Sequence, residues 1–349
     1  MKNFYSAHRP LCKILSFALV LVLILEGLSW LSVSLDRDRN PMLNHSTTCF
    51  FGEPKNTIDV LAIGTSDVYS SVAPLEWWKQ YGYTGYAWGE PSQRIFETYT
   101  YLKKIYKRQR PRIVFLEVGD LYRDSTNAQV LDSIVRTFLG QIFPLVIYHR
   151  NFNPAKFLNL GAPLRSVTKG YLLRGDTVPC EGNQNCSKRY KKPAPINPYC
   201  AKELARCVDL CEAHGSHVVL LSIPDRSSWS IGRHYAIKKL ARQCGVPYVD
   251  LNTAMRREIN WKTDSADGGM HMNYRGAKKV SDFLGNYLHR NSSLPDHRRS
   301  GAYASWNIDY RKYAKAIRNP ALYRKNRLQK MMIAYKREPQ KEGSSRRFA

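Results

Sequence analysis

The chain of 349 residues has few acidic side chains: 28 Asp and Glu stand against 54 Lys and Arg, giving a formal net charge of +26. This imbalance predicts a polyanionic neighbour, and the candidates are nucleic acid, an anionic membrane surface and an acidic polymer. The sequence also has no internal repeat and no Cys-x-x-Cys pair. A repeat architecture is therefore not expected, and a zinc site is disfavoured.

One long apolar run is present near the N-terminus, at residues 14–33, and it has about the length needed to cross a bilayer. Basic residues precede it: Lys2, His8, Arg9 and Lys13. This charge pattern favours a cytoplasmic N-terminus with the remaining chain outside the membrane, which disfavours nucleic acid as the partner. A cleaved signal peptide is the alternative, because Ser32 and Ser34 provide small residues at a spacing that a signal peptidase recognises.

Downstream of a polar linker, segments with strand-like and helix-like patterns alternate along the chain. Apolar strands are predicted at residues 58–63, 113–118, 217–223 and 247–251, and helices at residues 75–81, 92–108, 198–214, 233–243 and 274–289. This order predicts an α/β fold with a doubly wound parallel sheet between helix layers, a three-layer flavodoxin-like sandwich.

The predicted organisation has four parts. Residues 1–35 form a cytoplasmic stub and transmembrane anchor, 36–56 a linker, 57–290 the α/β domain and 291–349 a basic C-terminal tail. Residues 120–195 interrupt the alternation, with a helix predicted at 128–143, and are interpreted as an insertion that covers or shapes a substrate site.

The eight cysteines fall into different settings. Cys180 and Cys186 flank a polar Gly/Asn stretch, which suggests a loop-closing disulfide outside the cell. Cys200, Cys207 and Cys211 share one helical stripe, so we expect them to be buried apolar residues and not metal ligands.

Ser66 lies in the segment Ile-Gly-Thr-Ser-Asp, directly after the first predicted strand. A serine at the carboxyl end of a buried parallel strand faces the edge of the sheet where α/β proteins bind ligands, and Gly64 allows a tight turn there. Ser66 is therefore a candidate nucleophile. The alternative is an ordinary helix N-cap.

His271 lies on a loop just before the last predicted helix of the domain, four residues after Asp267. A general base beside a serine needs an acceptor that orients its ring, and an Asp on the same short loop can provide it. Two glycines between these residues allow the carboxylate to fold back onto the imidazole. Asp264 is a second candidate for the same role.

Four segments occur in the order of the sequence blocks of the SGNH/GDSL hydrolases: Gly-Thr-Ser at 64–66, Trp-Gly-Glu-Pro-Ser-Gln at 88–93, Glu-Val-Gly-Asp at 117–120 and Asp-x-x-x-His-x-Asn at 267–273. The chain resembles most the membrane-anchored bacterial branch that acts on envelope polymers, including relatives of the D-alanyl-transfer protein of teichoic acid synthesis. The resemblance covers residues 56–288 without the insertion. Asp120 stands where the family has Asn.

The resemblance implies Ser66 as nucleophile, His271 as base and Asp267 as the residue that orients it. The backbone N–H groups of Ser66 and Gly89 would form the oxyanion hole. Further candidates for substrate binding lie in the same motifs: Asp67, Trp88, Ser92, Gln93, Asp120 and Asn273. Aromatic rings near the first strand could stack on sugars or simply form core.

The resemblance further implies a serine esterase or O-acyltransferase, without metal or organic cofactor, that acts outside the cytoplasmic membrane. The expected substrates are acyl, acetyl or D-alanyl esters of cell-envelope polysaccharide or teichoic acid. The expected partners are the membrane, contacted by the anchor and the basic tail, and a membrane-bound O-acyltransferase. The alternative is a catalytically degenerate domain that serves as a binding scaffold for such an acyltransferase or a polymer-export system.

Overall fold

In the computed structural model, the residues described are 2–36, 45–143, 165–180 and 193–318. Five parallel strands form one sheet in the order β2-β1-β3-β4-β5. Their bounds are β1 Val60–Gly64, β2 Gly85–Gly89, β3 Ile113–Glu117, β4 His217–Ser222 and β5 Tyr248–Asp250. Strand β1 pairs with both β2 and β3, so the direction of winding reverses there. The predicted fold class, a doubly wound α/β sandwich, is confirmed.

The helices lie before and around the sheet, and we number them in chain order. They are α1 Lys2–Asp36, α2 His45–Thr48, α3 Ser66–Ser71, α4 Pro74–Tyr81, α5 Ile95–Ile105, α6 Asn127–Ile142, α7 Pro198–Ala213, α8 Ile231–Gln243, α9 Leu251–Ala254, α10 Tyr274–Asn291 and α11 Ala304–Arg318. Within α1, the segment Pro10–Ser29 has a mean hydropathy of 2.4 and is long and apolar enough to cross a membrane.

Two apolar cores cover the two faces of the sheet. One contains side chains of α3, α4, α10 and α11, and the other contains side chains of α5, α7 and α8. Cys200, Cys207 and Cys211 are fully buried in the second core, which confirms the interpretation of their helical stripe. The tryptophans and tyrosines near β1 and β2 are also core residues, since none of them is more than 7% exposed: Tyr69, Trp77, Trp78, Tyr83, Tyr86 and Trp88.

Strand β2 was not predicted from the sequence. Its residues, Gly-Tyr-Ala-Trp-Gly, include no β-branched side chain and begin and end with glycine, so strand propensity is low. At Gly85, a Cβ would lie 2.6 Å from the ring of Trp77. Close packing of α4 on the sheet therefore requires glycine, and tertiary contacts override local propensity here.

The folded structure continues beyond residue 290, where the sequence suggested a basic tail. Helix α11 packs on α4 and buries Trp306, Asp309, Tyr313 and Ala316 along one face. The ring centroids of Trp306 and Trp78 are 5.5 Å apart. The many Lys and Arg residues of this segment hid its apolar stripe. Residues 319–349, the remainder of the predicted tail, lie outside the described residues.

The predicted insertion returns to the domain at residues 165–180 and binds its backbone. The Ala87 N–H of the edge strand β2 donates to the Lys169 carbonyl over 2.9 Å, and the Leu172 N–H donates to the Tyr69 carbonyl over 2.7 Å. The first contact satisfies a donor of a sheet edge. This segment therefore belongs to the fold and leads the chain to the carboxyl edge of the sheet.

Candidate active site

Ser66 is the first residue of α3, and Thr65 alone separates it from the end of β1. Thr65 caps the helix: its hydroxyl accepts from the Asp67 N–H over 3.3 Å, and its own N–H donates to Glu117 Oε2 over 3.1 Å. A Cβ at Gly64 would lie 2.5 Å from the Glu117 Cβ, so glycine is required where these strands meet. The carboxylate of Glu117, on the neighbouring strand β3, therefore holds this turn in place.

The structure brings Ser66, His271 and Asp267 together. His271 Nε2 lies 2.9 Å from Ser66 Oγ, and its Nδ1 lies 2.5 Å from Asp267 Oδ2. The Asp267 Oδ1 atom also accepts from the His271 backbone N–H over 2.8 Å. These contacts place an acceptor on one ring nitrogen and a hydroxyl on the other, the geometry of a nucleophile, its base and the orienting acid.

The loop that carries the base and acid folds back as its glycines suggested. Gly268 and Gly269 have φ angles of +84° and +111°, a region that other residues rarely adopt. Ser265 and Met272 form an antiparallel bridge that closes the loop. Asp264, the second candidate acid, lies elsewhere, where its carboxylate binds Lys279 Nζ over 2.7 Å.

Arg174 binds the acid from its outer side. Its Nη1 lies 3.2 Å from Asp267 Oδ2, and its carbonyl accepts from the Tyr274 N–H over 2.8 Å. Partial burial raises the pKa of Asp267, but the hydrogen bonds from the ring and N–H of His271 and the charge of Arg174 outweigh burial and lower this pKa below its ordinary value. The orienting carboxylate therefore remains ionised at neutral pH.

An open cavity of about 320 Å³ faces the reactive atoms. Its lining is mostly polar and charged: Thr65, Ser66, Asp67, Gly119, Tyr122, Arg123, Asp225, Ser227, Ser228, Arg233, Met270 and His271. Residues from the ends of β1, β3 and β4 meet here, at the carboxyl edge of the sheet where α/β proteins bind ligands.

Three carboxyl groups lie in or near the cavity, and Asp67 is part of its lining. Asp67 Oδ1 is 3.7 Å from His271 Nε2, whereas Glu117 and Asp120 are almost fully buried. Burial raises the pKa of all three, and the charge of Glu117 raises the pKa of Asp67 and Asp120 further. The charge of Arg123 opposes each shift. These groups therefore favour the protonated form more than ordinary carboxyl groups do.

The Gly89 N–H, expected as an oxyanion donor, has another partner. It donates to Ser46 Oγ over 2.9 Å, and the Ser46 hydroxyl donates to the Gly89 carbonyl over 2.6 Å. Ser46, a residue of the predicted linker, thus occupies the donor, so the proposed role of Gly89 is not supported by this structure. The Ser66 N–H lies in the first turn of α3, where helix geometry leaves N–H groups without intrahelical acceptors.

Among the predicted substrate-binding residues, only Asp67 lines the cavity. Trp88 is buried in the core, Gln93 and Asp120 both bind Thr98 below the surface, and Ser92 is exposed at a turn with a φ angle of +58°. Asn273 is the N-cap of α10, where its side chain accepts from the N–H groups of Arg275 and Gly276. These residues support the fold around the site and do not face its cavity.

Cys180 lies beside the loop of Asp267 and His271, because a Cβ added at Gly269 would lie 2.9 Å from its sulfur. Cys180 has no disulfide partner among the described residues. Cys186, its predicted partner, lies outside them. Within the described ranges, no group of three or more His, Cys, Asp or Glu side chains could hold a metal ion.

Comparisons with known proteins find similarity in several solved structures, three of which follow. A protein described as lipolytic and of the G-D-S-L family, from Desulfitobacterium hafniense, has 12% identity and a TM-score of 0.37, covering 67% of this chain and 100% of its own. A protein described as an acylhydrolase, from Bacteroides fragilis, has 14% identity and a TM-score of 0.38, covering 71% and 97%.

The third structure, described as a platelet activating factor from Streptococcus pneumonia, has 16% identity and a TM-score of 0.36, covering 77% of this chain and 98% of its own. No protein-family model and no curated protein matches the chain. At these identities and TM-scores, the assignment of chemistry depends on the site geometry described above.

Sequence reasoning missed the charged residues that the insertion and the later strands bring to the site. Arg123 and Arg174 belong to the predicted insertion, which has no motif to mark them. Asp225 and Arg233 follow β4, and the end of that strand was a usable signal because ligand sites gather at the carboxyl ends of parallel strands.

Proposed function

We propose that this protein is an extracytoplasmic serine esterase or O-acyltransferase of the SGNH type. The observation that carries the proposal is the continuous contact from Ser66 Oγ through the imidazole of His271 to the carboxylate of Asp267, over 2.9 and 2.5 Å. Such a chain of contacts activates a serine for attack on a carbonyl carbon.

In the proposed reaction, Ser66 Oγ attacks an ester carbonyl while His271 Nε2 accepts the hydroxyl proton. Asp267 stabilises the resulting imidazolium through Nδ1, and His271 then donates the proton to the leaving alcohol. The acyl-serine is resolved by water in hydrolysis or by a sugar hydroxyl in transfer. The base accepts a proton from this second nucleophile and returns it to Ser66 Oγ.

The tetrahedral intermediate needs donors for its oxyanion, and two groups are suited to this role. The Ser66 N–H lies at the start of α3, next to the reactive oxygen. Arg123 lines the same cavity and supplies positive charge beside Asp67 and Glu117. We propose that these groups replace the Gly89 N–H, which Ser46 occupies, and the amide that Asp120 lacks.

The cavity supports a hydrophilic substrate. Its rim has the carboxylate of Asp225, the hydroxyl groups of Ser227 and Ser228 and the guanidinium of Arg233. Polar groups in this number suit recognition of hydroxyl-bearing sugars better than binding of a long acyl chain. Acyl or acetyl esters of envelope polysaccharide or teichoic acid are the proposed substrates, and a membrane-bound O-acyltransferase is a proposed partner.

The proposed location follows from the N-terminal segment. The apolar stretch Pro10–Ser29 has the length of a single membrane span, and basic residues precede it in the sequence. The site-bearing domain would then lie outside the cytoplasmic membrane, where envelope polymers are accessible. The basic residues after 318 would add electrostatic attraction to anionic lipid.

One observation favours a second function, a non-hydrolytic binding scaffold. The Gly89 N–H, an oxyanion donor that the resemblance implied, binds Ser46, and the buried carboxyl group of Asp120 stands where the family has Asn. An SGNH domain without these donors could bind an ester-bearing polymer or an acyltransferase without turning over the ester.

Labelling with a fluorophosphonate serine probe distinguishes the two functions. We expect the purified full chain to be labelled, and Ser66→Ala and His271→Ala to abolish labelling, because one removes the nucleophile and the other removes its base. Ser300→Ala is the control, since this exposed serine does not line the cavity. Absent labelling of well-folded wild-type protein would support the scaffold.

A further inference from the structure

Helix α6 presents an apolar face to solvent. Its large exposed side chains lie within an arc of roughly 100° at 100° per residue, and they are Leu131 (62% exposed), Ile134 (41%), Val135 (44%), Phe138 (59%) and Ile142 (39%). In an ordinary surface helix, such a stripe faces the core. Here it faces outward, over more than three turns.

The opposite side of α6 holds the helix in place with small and polar residues. Ser133 Oγ accepts from Arg94 over 2.5 Å and donates to Asp124 over 2.5 Å. Gln141 near the end of the helix donates to Thr100 Oγ1 of α5 over 3.1 Å. Val130 is the one apolar side chain of α6 that is buried in the core, so the attachment combines this contact with hydrogen bonds. This arrangement indicates that an apolar environment outside the protein, or a partner, covers the outer face of α6.

A positively charged border lies next to this face. Helix α5, on which α6 packs, exposes Lys103 and Lys104, and Lys107 is exposed just after the helix ends. Between the helices runs a groove of about 270 Å³ with Phe96 and Phe138 in its lining and Lys103 at its edge. An apolar stripe bordered by lysines is the pattern of surfaces that enter the headgroup region of anionic bilayers.

The chain before α2 keeps this side of the domain close to the apolar N-terminal helix. Only residues 37–44 separate α1 from α2, and the nine Cα steps from residue 36 to 45 span at most about 30 Å. After α2, Phe51 packs on Trp88, and Trp88 packs on Tyr101 of α5. The connection therefore enters the domain on the α5 side of the sheet, the side that also carries α6.

We propose that the outer face of α6, with the lysines of α5, docks on the surface of an anionic lipid bilayer. Leu131, Val135 and Phe138 insert between acyl chains near the headgroups, and Lys103 and its neighbours bind lipid phosphates. This inference depends on the proposed membrane anchorage of the chain, and it is independent of the chemistry at Ser66. It fixes which side of the domain faces the membrane.

Photocrosslinking of the full chain in vesicles of phosphatidylglycerol and phosphatidylcholine tests the proposal. A benzoylphenylalanine in place of Phe138 should form an adduct with the mass of a phospholipid. The same group in place of Tyr235, which is 48% exposed on α8, is the matched control and should form none. Lys103→Gln should lower the adduct yield by up to about fivefold, the effect of one lysine near an anionic surface.

Three results would overturn the proposal. One is a Phe138 adduct only with the chain itself, which would assign the face to a segment such as residues 144–164. Another is an adduct only with a different protein in native membranes. The third is the absence of any adduct although the chain resists alkaline extraction from the vesicles. A chain that alkaline washing removes would overturn the proposed anchorage as well, whereas probe labelling of Ser66 tests the chemistry separately.

Discussion

Replacing Lys169 with Met should destabilise the folded protein strongly, because Lys169 neutralises a buried acidic pair. Its Nζ lies 3.0 Å from both carboxylate oxygens of Glu53 and 2.8 Å from Asp309 Oδ2, and all three side chains are fully buried. The ammonium group also lies 4.2 Å from the ring centroid of Trp306. Arg165 is the other cation, at 3.0 Å from Asp309 but 4.0 Å from Glu53.

The size of the destabilisation follows from the unpaired charge that the substitution leaves in the core. Removing one partner of a buried ion pair costs about 3–5 kcal/mol, because the remaining charge is desolvated without compensation. With a total free energy of unfolding of about 5–15 kcal/mol, this loss would be a large fraction of the stability. Burial already raises the pKa of Glu53 against the charges of Lys169 and Arg165. Without Lys169, this pKa rises further and Glu53 takes up a proton.

The sign of the pH effect follows from that proton uptake. A group whose pKa is higher in the folded than in the unfolded protein contributes stability at low pH and loses it as the pH rises through the folded pKa. The loss of unfolding free energy that Lys169→Met causes should therefore become smaller as the pH falls. Urea unfolding of the full chain in detergent, followed by tryptophan fluorescence, measures the deficit at each pH.

The controls separate charge pairing from other effects. Lys262→Met removes an exposed lysine and should change the unfolding free energy by less than about 0.5 kcal/mol. The double variant Lys169→Met/Glu53→Gln leaves Arg165 paired with Asp309 and should recover more than half of the loss. A loss below about 1 kcal/mol for Lys169→Met, with an unchanged urea dependence, would refute the reasoning.

Two further predictions concern the active-site carboxyl groups. Arg174→Gln should slow probe labelling of Ser66 about tenfold and shift the acid limb of its pH profile upward, since the pKa of Asp267 rises without the neighbouring charge. Arg174→Lys should restore part of the rate. An unchanged pH profile would contradict an influence of Arg174 on Asp267. Asp120→Asn should raise the free energy of unfolding at pH 8 by about 1–3 kcal/mol. The gain in unfolding free energy from Asp120→Asn should be smaller at pH 5. The pKa of Asp120 is raised in the fold, so the wild-type protein loses stability as the pH rises through this pKa. Equal gains at both pH values, measured by urea unfolding, would contradict this.

The sequence predicted the parts of the fold and site that depend on local pattern. Strands β1, β3 and β4 are apolar over most of their length because both faces of a parallel sheet are covered, and such a run is visible in the sequence alone. Asp267 and His271 were paired because they share one short loop. Their contact with Ser66 was implied only by the resemblance, because helix α9 and a further loop separate them from the end of β5.

What the sequence did not predict depends on contacts between distant segments. The Gly89 N–H was expected to be free, and only the fold shows that the Ser46 hydroxyl reaches it from 43 residues away. Arg174 reaches Asp267 across 93 residues, from a segment without a recognisable motif. Helix α11 was hidden because Trp306 and Tyr313 are interleaved with Lys and Arg, so that average polarity concealed their shared face.

The segment of residues 165–180 links the stability of the domain to its proposed chemistry. Lys169 anchors this segment in the buried charge cluster, and five residues later Arg174 binds Asp267, the proposed orienting acid. Between them, the Leu172 N–H donates to the Tyr69 carbonyl of α3, the helix that begins with Ser66. A change in the buried charge cluster would therefore displace the contact between Arg174 and Asp267 first, and Ser66 only afterwards. For this reason, Lys169→Met should slow serine labelling even at urea concentrations where the protein remains folded.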